Sequence, residues 1–236
     1  MSTVRIIIIG DEILSGKFTD ENTPWLIRTC REHDLQITGI SIIPDDIDII
    51  AQHVQDASRN AKYVITTGGV GPTHDDKTME GVAKAFDVPL IESKELVKLI
   101  DGYANGNKAL LRMAIVPKNY KLLDCGEGNY PQLVVENVYI FPGVPKFVQR
   151  KLSLIIHQWE SKKIHRTKVE LTVRESLIAI ELEEIQAQNT DVNIGSYPRY
   201  DDSMINTILT IDGEDQNRVE EISGIIKKAF GEWLNV

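Results

Sequence analysis

One glycine-rich stretch constrains the fold more than any other part of the chain: it reads TTGGVGPTHDD and spans residues 66–76. The apolar run Tyr63-Val64-Ile65 precedes it and predicts a buried strand, and residues 77–86 after it predict a helix. Glycine has no Cβ and adopts positive φ readily, so such a turn lets backbone N–H groups approach a ligand closely. A strand, a glycine-rich turn and a helix in this order are typical of an anion site.

Two aspartates, Asp75 and Asp76, close this stretch. One carboxylate can cap the following helix while the other holds a divalent cation, because Mg²⁺ sites commonly combine one or two carboxylates with phosphate oxygens. A capped turn without any ligand is the alternative that the stretch alone leaves open. The stretch has neither the G-x-G-x-x-G nor the G-x-x-x-x-G-K-[ST] pattern, which excludes a dinucleotide fingerprint and a Walker loop here.

Two further turns follow apolar runs. The β-branched run at residues 4–9 predicts a parallel strand covered on both faces, and Gly10-Asp11-Glu12 comes directly after it. Phe141-Pro142-Gly143-Val144-Pro145-Lys146 follows another apolar run, with Pro145 at a predicted helix start. Ligands collect at the carboxyl ends of strands in open α/β sheets, so we expect these turns at one edge. Asp45, which follows a strand predicted at residues 35–43, is either an N-cap or a ligand residue.

These residues together resemble one family. Residues 68–76 resemble the GGxGPTxDD signature of the MoaB/Mog molybdopterin-binding-like domain, in the version found in CinA N-terminal domains and animal-type FAD synthases. Gly10-Asp11-Glu12, with Gly16 and Asn22, resembles that family's first ligand-binding segment, and residues 141–146 resemble its [LF]PGxP turn over the ligand. The resemblance implies an α/β fold: a three-layer α/β/α domain with a mostly parallel sheet at residues 1–160, and a small C-terminal α+β KH-like domain at residues 165–236.

The C-terminal part shows the order β-α-β-β-α, and Gly195-Ser196-Tyr197-Pro198 resembles the GSYP segment of animal-type FAD synthases. It lacks a GXXG loop, and the whole chain carries a formal net charge of −9. Both features disfavour nucleic acid as a partner, so a packing or dimerisation role is expected for this part.

Two features predict a cytoplasmic protein without a membrane partner. The apolar run at residues 6–9 is far too short to span a bilayer and lacks a signal-peptide cleavage site. The two cysteines, Cys30 and Cys125, have no C-x-x-C spacing, so a disulfide framework is not expected.

The chain departs from the family pattern at residues 124–131. MoaB/Mog and CinA domains usually carry N-P-x-G-x-A-P-G there, whereas this chain keeps only Gly126, Gly128 and Pro131. The departure favours the FAD-synthase-like branch over molybdopterin itself. The chain shows no PAPS-reductase-type domain of the kind that carries out FAD synthesis in that branch, so FAD synthesis is not expected.

The resemblance implies a divalent-metal-dependent nucleotide pyrophosphatase that cleaves FAD or ADP-ribose-type dinucleotides and releases AMP. Asp75, Asp76 and Asp11 would be catalytic, with Asp75 and Asp76 as ligands of Mg²⁺, Mn²⁺ or Co²⁺ and with K⁺ as a further ion. Lys108, Lys146 and Arg112 are candidate charge partners. The residues expected to bind the ligand and its phosphates are Gly10, Glu12, Asn22, Thr67, Gly68, Gly69, Gly71, Pro72, Thr73, Lys108, Pro142, Gly143, Val144 and Pro145.

Two alternatives stay open. One is a molybdopterin-binding protein of molybdenum cofactor biosynthesis, which would use the same turns. The other is a non-catalytic nucleotide-binding or assembly module, against which the paired carboxylates at Asp75 and Asp76 argue. In each case the expected partners are a small nucleotide or pterin and further copies of the chain, since the family tends to form homo-oligomers.

Overall fold

The chain divides into two units, Met1–Ser161 and Lys162–Val236. The computed structural model describes residues 2–104, 107–126, 130–201 and 204–234 of them. Within that part of the chain, no helix is long and apolar enough to cross a lipid bilayer. Cys30 and Cys125 are buried free thiols.

The first unit alternates strands and helices along the sequence. Its elements are β1 (Thr3–Ile9), α1 (Asp11–Leu14), α2 (Asn22–Glu32), β2 (Gln36–Ile43), α3 (Ile47–Asn60), β3 (Tyr63–Thr67), α4 (Thr78–Ala85), β4 (Leu90–Glu92), α5 (Lys94–Ala104), a 3₁₀ helix (Lys108–Ala114), β5 (Ile115–Pro117), β6 (Tyr120–Leu123), β7 (Gln132–Val135), β8 (Val138–Phe141), α6 (Pro145–Ile155) and a 3₁₀ helix (Ile156–Gln158).

Six of these strands form one sheet in the order β2-β1-β3-β8-β7-β6. The four strands from β2 to β8 run parallel to their neighbours, and β7 and β6 pair antiparallel. Three parallel strands, β1, β2 and β3, therefore end at one edge of the sheet, and β8 ends there too. The mostly parallel sheet confirms the predicted fold class.

Side chains of β1 alternate between the two faces of this sheet, as the period of two along a strand requires. Ile7 and Ile9 pack into the core that contains Ile50 of α3 and Val82 of α4. Ile6 and Ile8 pack into a second core, whose residues include Leu26 of α2 and Leu152 of α6. Helices cover both faces, so the unit has the three layers that the resemblance implied.

The second unit is a small α+β fold. Its elements follow the order β-α-β-β-α that the sequence predicted: β9 (His165–Leu171), α7 (Glu175–Gln188), β10 (Val192–Asp201), β11 (Met204–Gly213), α8 (Gln216–Ala229) and a final 3₁₀ helix (Gly231–Trp233). The strands form an antiparallel sheet in the order β10-β11-β9. Its core includes Val169, Leu209, Ile222 and Phe230.

Candidate functional site

The glycine-rich loop after β3 is held in a shape that only glycine adopts comfortably. Gly68 and Gly69 have φ values of +101° and +61°. A Cβ added to Gly68 would lie 2.0 Å from the carbonyl oxygen of Ile9 at the end of β1. The Gly68 N–H donates to the carbonyl of Phe141, at the end of β8, over 3.2 Å. The loop is thus wedged between the ends of two neighbouring strands.

The start of α4 fixes the same loop from the other side. The Thr78 hydroxyl donates to the Gly68 carbonyl at 2.7 Å, and the Thr78 N–H donates to the Gly69 carbonyl at 3.0 Å. Lys77 occupies the N-cap position, and no side chain caps the helix. The idea that Asp75 or Asp76 caps α4 is therefore wrong, because the helix start is anchored on the glycine loop instead.

Three consecutive backbone N–H groups, those of Gly69, Val70 and Gly71, point to a ligand function. In the part of the chain that the structure describes, no carbonyl or side chain accepts a hydrogen bond from them. Successive free N–H groups in a turn with a left-handed residue form a concave site for anions. The loop therefore presents the donors that a phosphate group needs.

Asp76 and Asp75 differ in what they contact. The Asp76 carboxylate folds back onto the loop, where its Oδ2 accepts the Thr73 N–H at 2.8 Å and the Thr73 hydroxyl at 2.5 Å. Asp75 is exposed, and the nearby Thr73 hydroxyl, with smaller contributions from its own N–H, His74 and Lys77, holds its pKa below the ordinary value. Asp76 thus holds the turn in shape, whereas the ionised carboxylate of Asp75 faces solvent.

The turn between β8 and α6 packs directly on the glycine loop. A Cβ added to Gly143 would lie 3.4 Å from the Cα of Gly68. The buried side chain of Asn22 donates from Nδ2 to the Gly143 carbonyl at 2.8 Å. Pro145 stands in the first turn of α6, as predicted, with Val144 exposed at its N-cap. Asn22, from the predicted first ligand-binding segment, is therefore hydrogen-bonded to the turn predicted to lie over the ligand.

Thr67, another predicted ligand residue, is 1% exposed. Its hydroxyl has no hydrogen-bond partner within the described residues. Pro72 lies in the loop itself, and its carbonyl accepts a hydrogen bond from the Arg112 guanidinium at 3.3 Å. Gly10 donates its N–H to the carbonyl of Ile43, which joins the ends of β1 and β2.

Asp45 is the functional candidate that sequence reasoning left undecided. The N-cap of α3 is its neighbour Asp46, which accepts the N–H groups of Asp48 and Ile49. This leaves the Asp45 carboxylate free to accept the Asp11 N–H at 3.0 Å. Its position directly after a strand was the only sequence signal, and that signal fits a cap equally well.

Negative charge accumulates around Asp45. Burial is the main cause that raises its pKa; the hydrogen bond from Asp11 opposes this, and the carboxylates of Glu12, Asp11 and Asp75 raise the pKa further. We call Asp11, Glu12, Asp45 and Asp75 the acidic side of the loop. They come from the ends of β1, β2 and β3, which places the predicted Asp11, Glu12 and Asp75 in one electrostatic neighbourhood.

The acidic side has the donor chemistry of a site for a hard cation. Its side chains offer oxygen atoms only, and their mutual repulsion is relieved by a bound divalent ion. Among the described residues, no three carboxylate, histidine or cysteine groups stand close enough together to hold an ion by themselves. The residues therefore fit a Mg²⁺-like ion that takes the rest of its ligands from phosphate and water.

The loop also lines a cavity of about 310 Å³, to whose lining none of the four carboxylates of the acidic side contributes. Arg112 lines it and, through its bond to Pro72, also braces the loop. Lys108 and Lys146 are exposed and do not line it, so Arg112 is the one of the three candidate charge partners that lines this cavity. The lining residues, which we call the cavity side, are Gly69, Val70, Gly71, Thr73, His74, Asp76, Lys77, Met79, Glu80, Leu90, Arg112, Met113 and Ile115.

Comparison with known proteins assigns this architecture to a family. A family model described as "Probable molybdopterin binding domain" matches residues 5–160, which is more than half of the chain. The chain belongs to this molybdopterin-binding domain family. A second family model, described as "FAD synthase, middle domain", matches residues 163–236 of the same molybdopterin-binding-domain protein. Both matches confirm the predicted resemblance.

Individual relatives agree with this assignment. A protein of Archaeoglobus fulgidus is 34% identical over 98% of this chain and 97% of its own length. A probable FAD synthase of Caenorhabditis elegans is 33% identical over 93% of this chain, which spans about half of that relative, 48%. The crystal structure of CinA from Thermoplasma acidophilum, a protein of unknown function, superposes with a TM-score of 0.60 and 28% identity over 66% of this chain and 98% of CinA.

Proposed function

We propose that this molybdopterin-binding-domain protein is a nucleotide pyrophosphatase that depends on a divalent metal and cleaves FAD or ADP-ribose-type dinucleotides. The observation that carries the proposal is the set of free N–H groups at residues 69–71, which belongs to the same loop as Asp75 and lines a cavity that also contains Lys77 and Arg112. A pyrophosphate is a chain of two phosphates, and this arrangement offers donors for one and countercharge for the other. The match to an FAD synthase middle domain agrees with a nucleotide ligand.

The reaction needs little covalent chemistry from the protein. Water adds to one phosphorus, the bridging P–O bond breaks, and AMP leaves while the other half keeps a phosphate monoester. Positioning and charge stabilisation supply most of the acceleration in such phosphoryl transfers. Here the N–H groups of Gly69, Val70 and Gly71 bind phosphate oxygens, and Asp76 keeps their turn in shape through Thr73.

Asp75 and Asp45 take the remaining roles. The lowered pKa of Asp75 keeps this exposed carboxylate ionised, so it can accept a hydrogen bond from the attacking water and orient it. A divalent cation, when bound, neutralises charge on the phosphate oxygens. Asp75 and Asp45, with Asp11 and Glu12 beside them, are the residues that would hold it. Asp76, a metal ligand in the sequence-based prediction, is already engaged by Thr73.

The direct test is a hydrolysis panel with the purified protein. FAD, ADP-ribose, NAD and ATP are each offered with Mg²⁺, Mn²⁺ or Co²⁺, with and without K⁺, and release of AMP is measured. We expect AMP from FAD or ADP-ribose only when a divalent metal is present. Absence of AMP from every substrate and metal combination contradicts the proposal.

A pair of matched variants then distinguishes the two aspartates. Asp75→Asn removes the ionised carboxylate, and we expect the rate of AMP release to fall about a hundredfold, a typical effect of losing a charged catalytic group. Asp76→Asn keeps an oxygen that can accept the Thr73 N–H, so we expect a loss below about tenfold. Equal losses in both variants would show that the two carboxylates act as one metal site, contrary to the geometry of the loop.

Pterin binding is the second candidate function, and the family match at residues 5–160 supports it. It predicts tight binding of a molybdopterin-like ligand together with no turnover in the hydrolysis panel. A protein that neither turns over any nucleotide nor binds a pterin would instead be an assembly module. Self-association, a property expected from the family, is checked on the same sample by light scattering.

A further inference from the structure

The cavity side of the loop has a composition that the acidic side lacks. Apolar side chains of Met79, Leu90, Met113 and Ile115 line it, beside the free N–H groups of residues 69–71. We propose that this cavity binds a planar heteroaromatic ring of the ligand, so that Met113 and Ile115 help to determine which nucleotide is recognised. That this ligand is a dinucleotide rests on the proposed function.

The size and lining of the cavity suit a flat ring. Its volume of about 310 Å³ lies at the lower end of the range for small-molecule sites, about 300–1,000 Å³. Two of its apolar walls are methionines, whose polarisable sulfur makes favourable contacts with aromatic rings and adapts to irregular shapes. Ile115 is 41% exposed, so it contributes an open apolar wall rather than part of the core.

Two cationic side chains in the cavity lining can pair with a phosphate-bearing ligand. Lys77 and Arg112 line it as cations, and Arg112 is already oriented toward the loop by its hydrogen bond to the Pro72 carbonyl. The lining also contains two carboxylates, Glu80 and Asp76, and the Asp76 carboxylate accepts both hydrogen bonds from Thr73. An arginine guanidinium can both pair with phosphate and stack on a ring.

The position of the free N–H groups indicates whether a nucleotide or a protein side chain fits the cavity better. Gly69 contributes to the cavity lining, and a Cβ added to it would lie 3.0 Å from the Asp45 carboxylate of the acidic side. A phosphate on residues 69–71 is therefore reached from both sides. A ring joined to that phosphate by a ribose or ribityl chain can enter the cavity, so a nucleotide fits better here than a protein side chain.

The experiment measures binding without catalysis. AMP and FMN are titrated separately into the protein by calorimetry in the presence of EDTA, which removes any metal contribution from the acidic side. We expect one of the two to bind, which identifies the ring. Ile115→Ser is expected to weaken that binding about fivefold, the factor that loss of a small apolar contact gives. Ile115→Trp, which fills the cavity, is expected to weaken it more than about tenfold.

Leu99→Ser is the matched control, because Leu99 in α5 is also 41% exposed but does not line the cavity. It should leave the Kd within about twofold of the unchanged protein. Equal Kd values for Ile115→Ser and Leu99→Ser, or binding of neither AMP nor FMN, overturn the ring site. Ring binding without any hydrolysis in the panel upholds the site and overturns the pyrophosphatase proposal, so the two failures are distinguishable. A melting curve of each variant confirms that it is folded.

Discussion

The two sides of the glycine-rich loop are formed by different kinds of structural element. The acidic side gathers four carboxylates from the ends of three parallel strands. The cavity side uses α4, the 3₁₀ helix at Lys108–Ala114 and the short antiparallel pair of β4 and β5. The sheet thus supplies charge at fixed positions, whereas elements outside the main sheet supply the shape and the apolar contacts.

This difference indicates which side of the loop determines the type of reaction and which side determines the choice of nucleotide. Strand ends of a parallel sheet are rigid, and they suit groups that must hold a metal or orient water. In the described part of the segment between α4 and β6, the strands β4 and β5 pair with each other and not with the main sheet, so the lining can change while the charges stay in place. We therefore expect reaction type to depend on the acidic side and nucleotide choice to depend on the cavity side.

The largest effect should come from Gly68→Ala, which disturbs both sides at once. Its Cβ would meet the Ile9 carbonyl at 2.0 Å in a backbone with φ of +101°, so the loop must move. We expect the free energy of unfolding to fall by about 2–5 kcal/mol, with loss of both hydrolysis and metal-free nucleotide binding. Urea denaturation measures the first and calorimetry the second.

Gly102→Ala serves as its control. Gly102 lies in α5, and a Cβ there meets nothing within 4 Å. Alanine in a helix stabilises by about 0.5–1 kcal/mol relative to glycine, so this variant should be slightly more stable and fully active. If Gly68→Ala behaves like Gly102→Ala, the wedged loop described here is wrong.

Asp45→Asn should affect the acidic side alone. We expect metal-dependent hydrolysis to fall about a hundredfold, because a carboxylate proposed to hold the cation is replaced by a neutral amide. Binding of AMP or FMN in EDTA should not weaken. Asp46→Asn is the control, since asparagine caps α3 about as well as aspartate does and should leave hydrolysis intact.

Asp45→Asn should also change how the stability of the protein depends on pH. The pKa of Asp45 is raised in the folded protein, so folding disfavours its ionised form. The unchanged protein therefore loses some stability as pH rises through the range where Asp45 ionises, and Asp45→Asn does not. The Tm of the variant should equal that of the unchanged protein at acidic pH and be equal or higher at neutral pH. A lower Tm at neutral pH only would contradict the charge crowding.

Arg112→Ala should produce the smallest effect, and only on the cavity side. The guanidinium is exposed and braces the loop through one hydrogen bond to Pro72, so we expect KM to rise about threefold to tenfold with kcat changed less than about twofold. Lys108→Ala is the natural control, because the sequence made it a ligand residue while the structure leaves it outside the cavity lining. A larger rise in KM from Lys108→Ala than from Arg112→Ala would support the sequence-based prediction that Lys108 binds the ligand.

Much of the fold was readable from the sequence because local patterns and topology agree. The β-branched run before Gly10 could only be a strand covered on both faces, and its alternating side chains do enter two cores. The order β-α-β-β-α predicted for the C-terminal part is the order in which β9, α7, β10, β11 and α8 occur. The glycines of the loop predicted a backbone with positive φ, and the φ values of Gly68 and Gly69 confirm it.

The site was harder to read, for two physical reasons. A carboxylate after a strand can be a cap or a ligand residue, and only the position of the next residue decided that Asp46 caps α3 and Asp45 does not. The cavity side depends on contacts between segments far apart in sequence, such as Arg112 with Pro72, for which no local pattern exists. Residues 127–129 of the stretch that departs from the family pattern lie outside the described residues.

The hydrogen bond from Asn22 to the Gly143 carbonyl joins residues 121 positions apart. The loop at Gly68 also rests on Phe141, so its final shape requires β8 to be in place between β3 and β7. Contacts of such long sequence separation form late, since the chain must first close a large loop. We therefore expect the helices to form before the ligand site, so that activity returns only at the end of refolding.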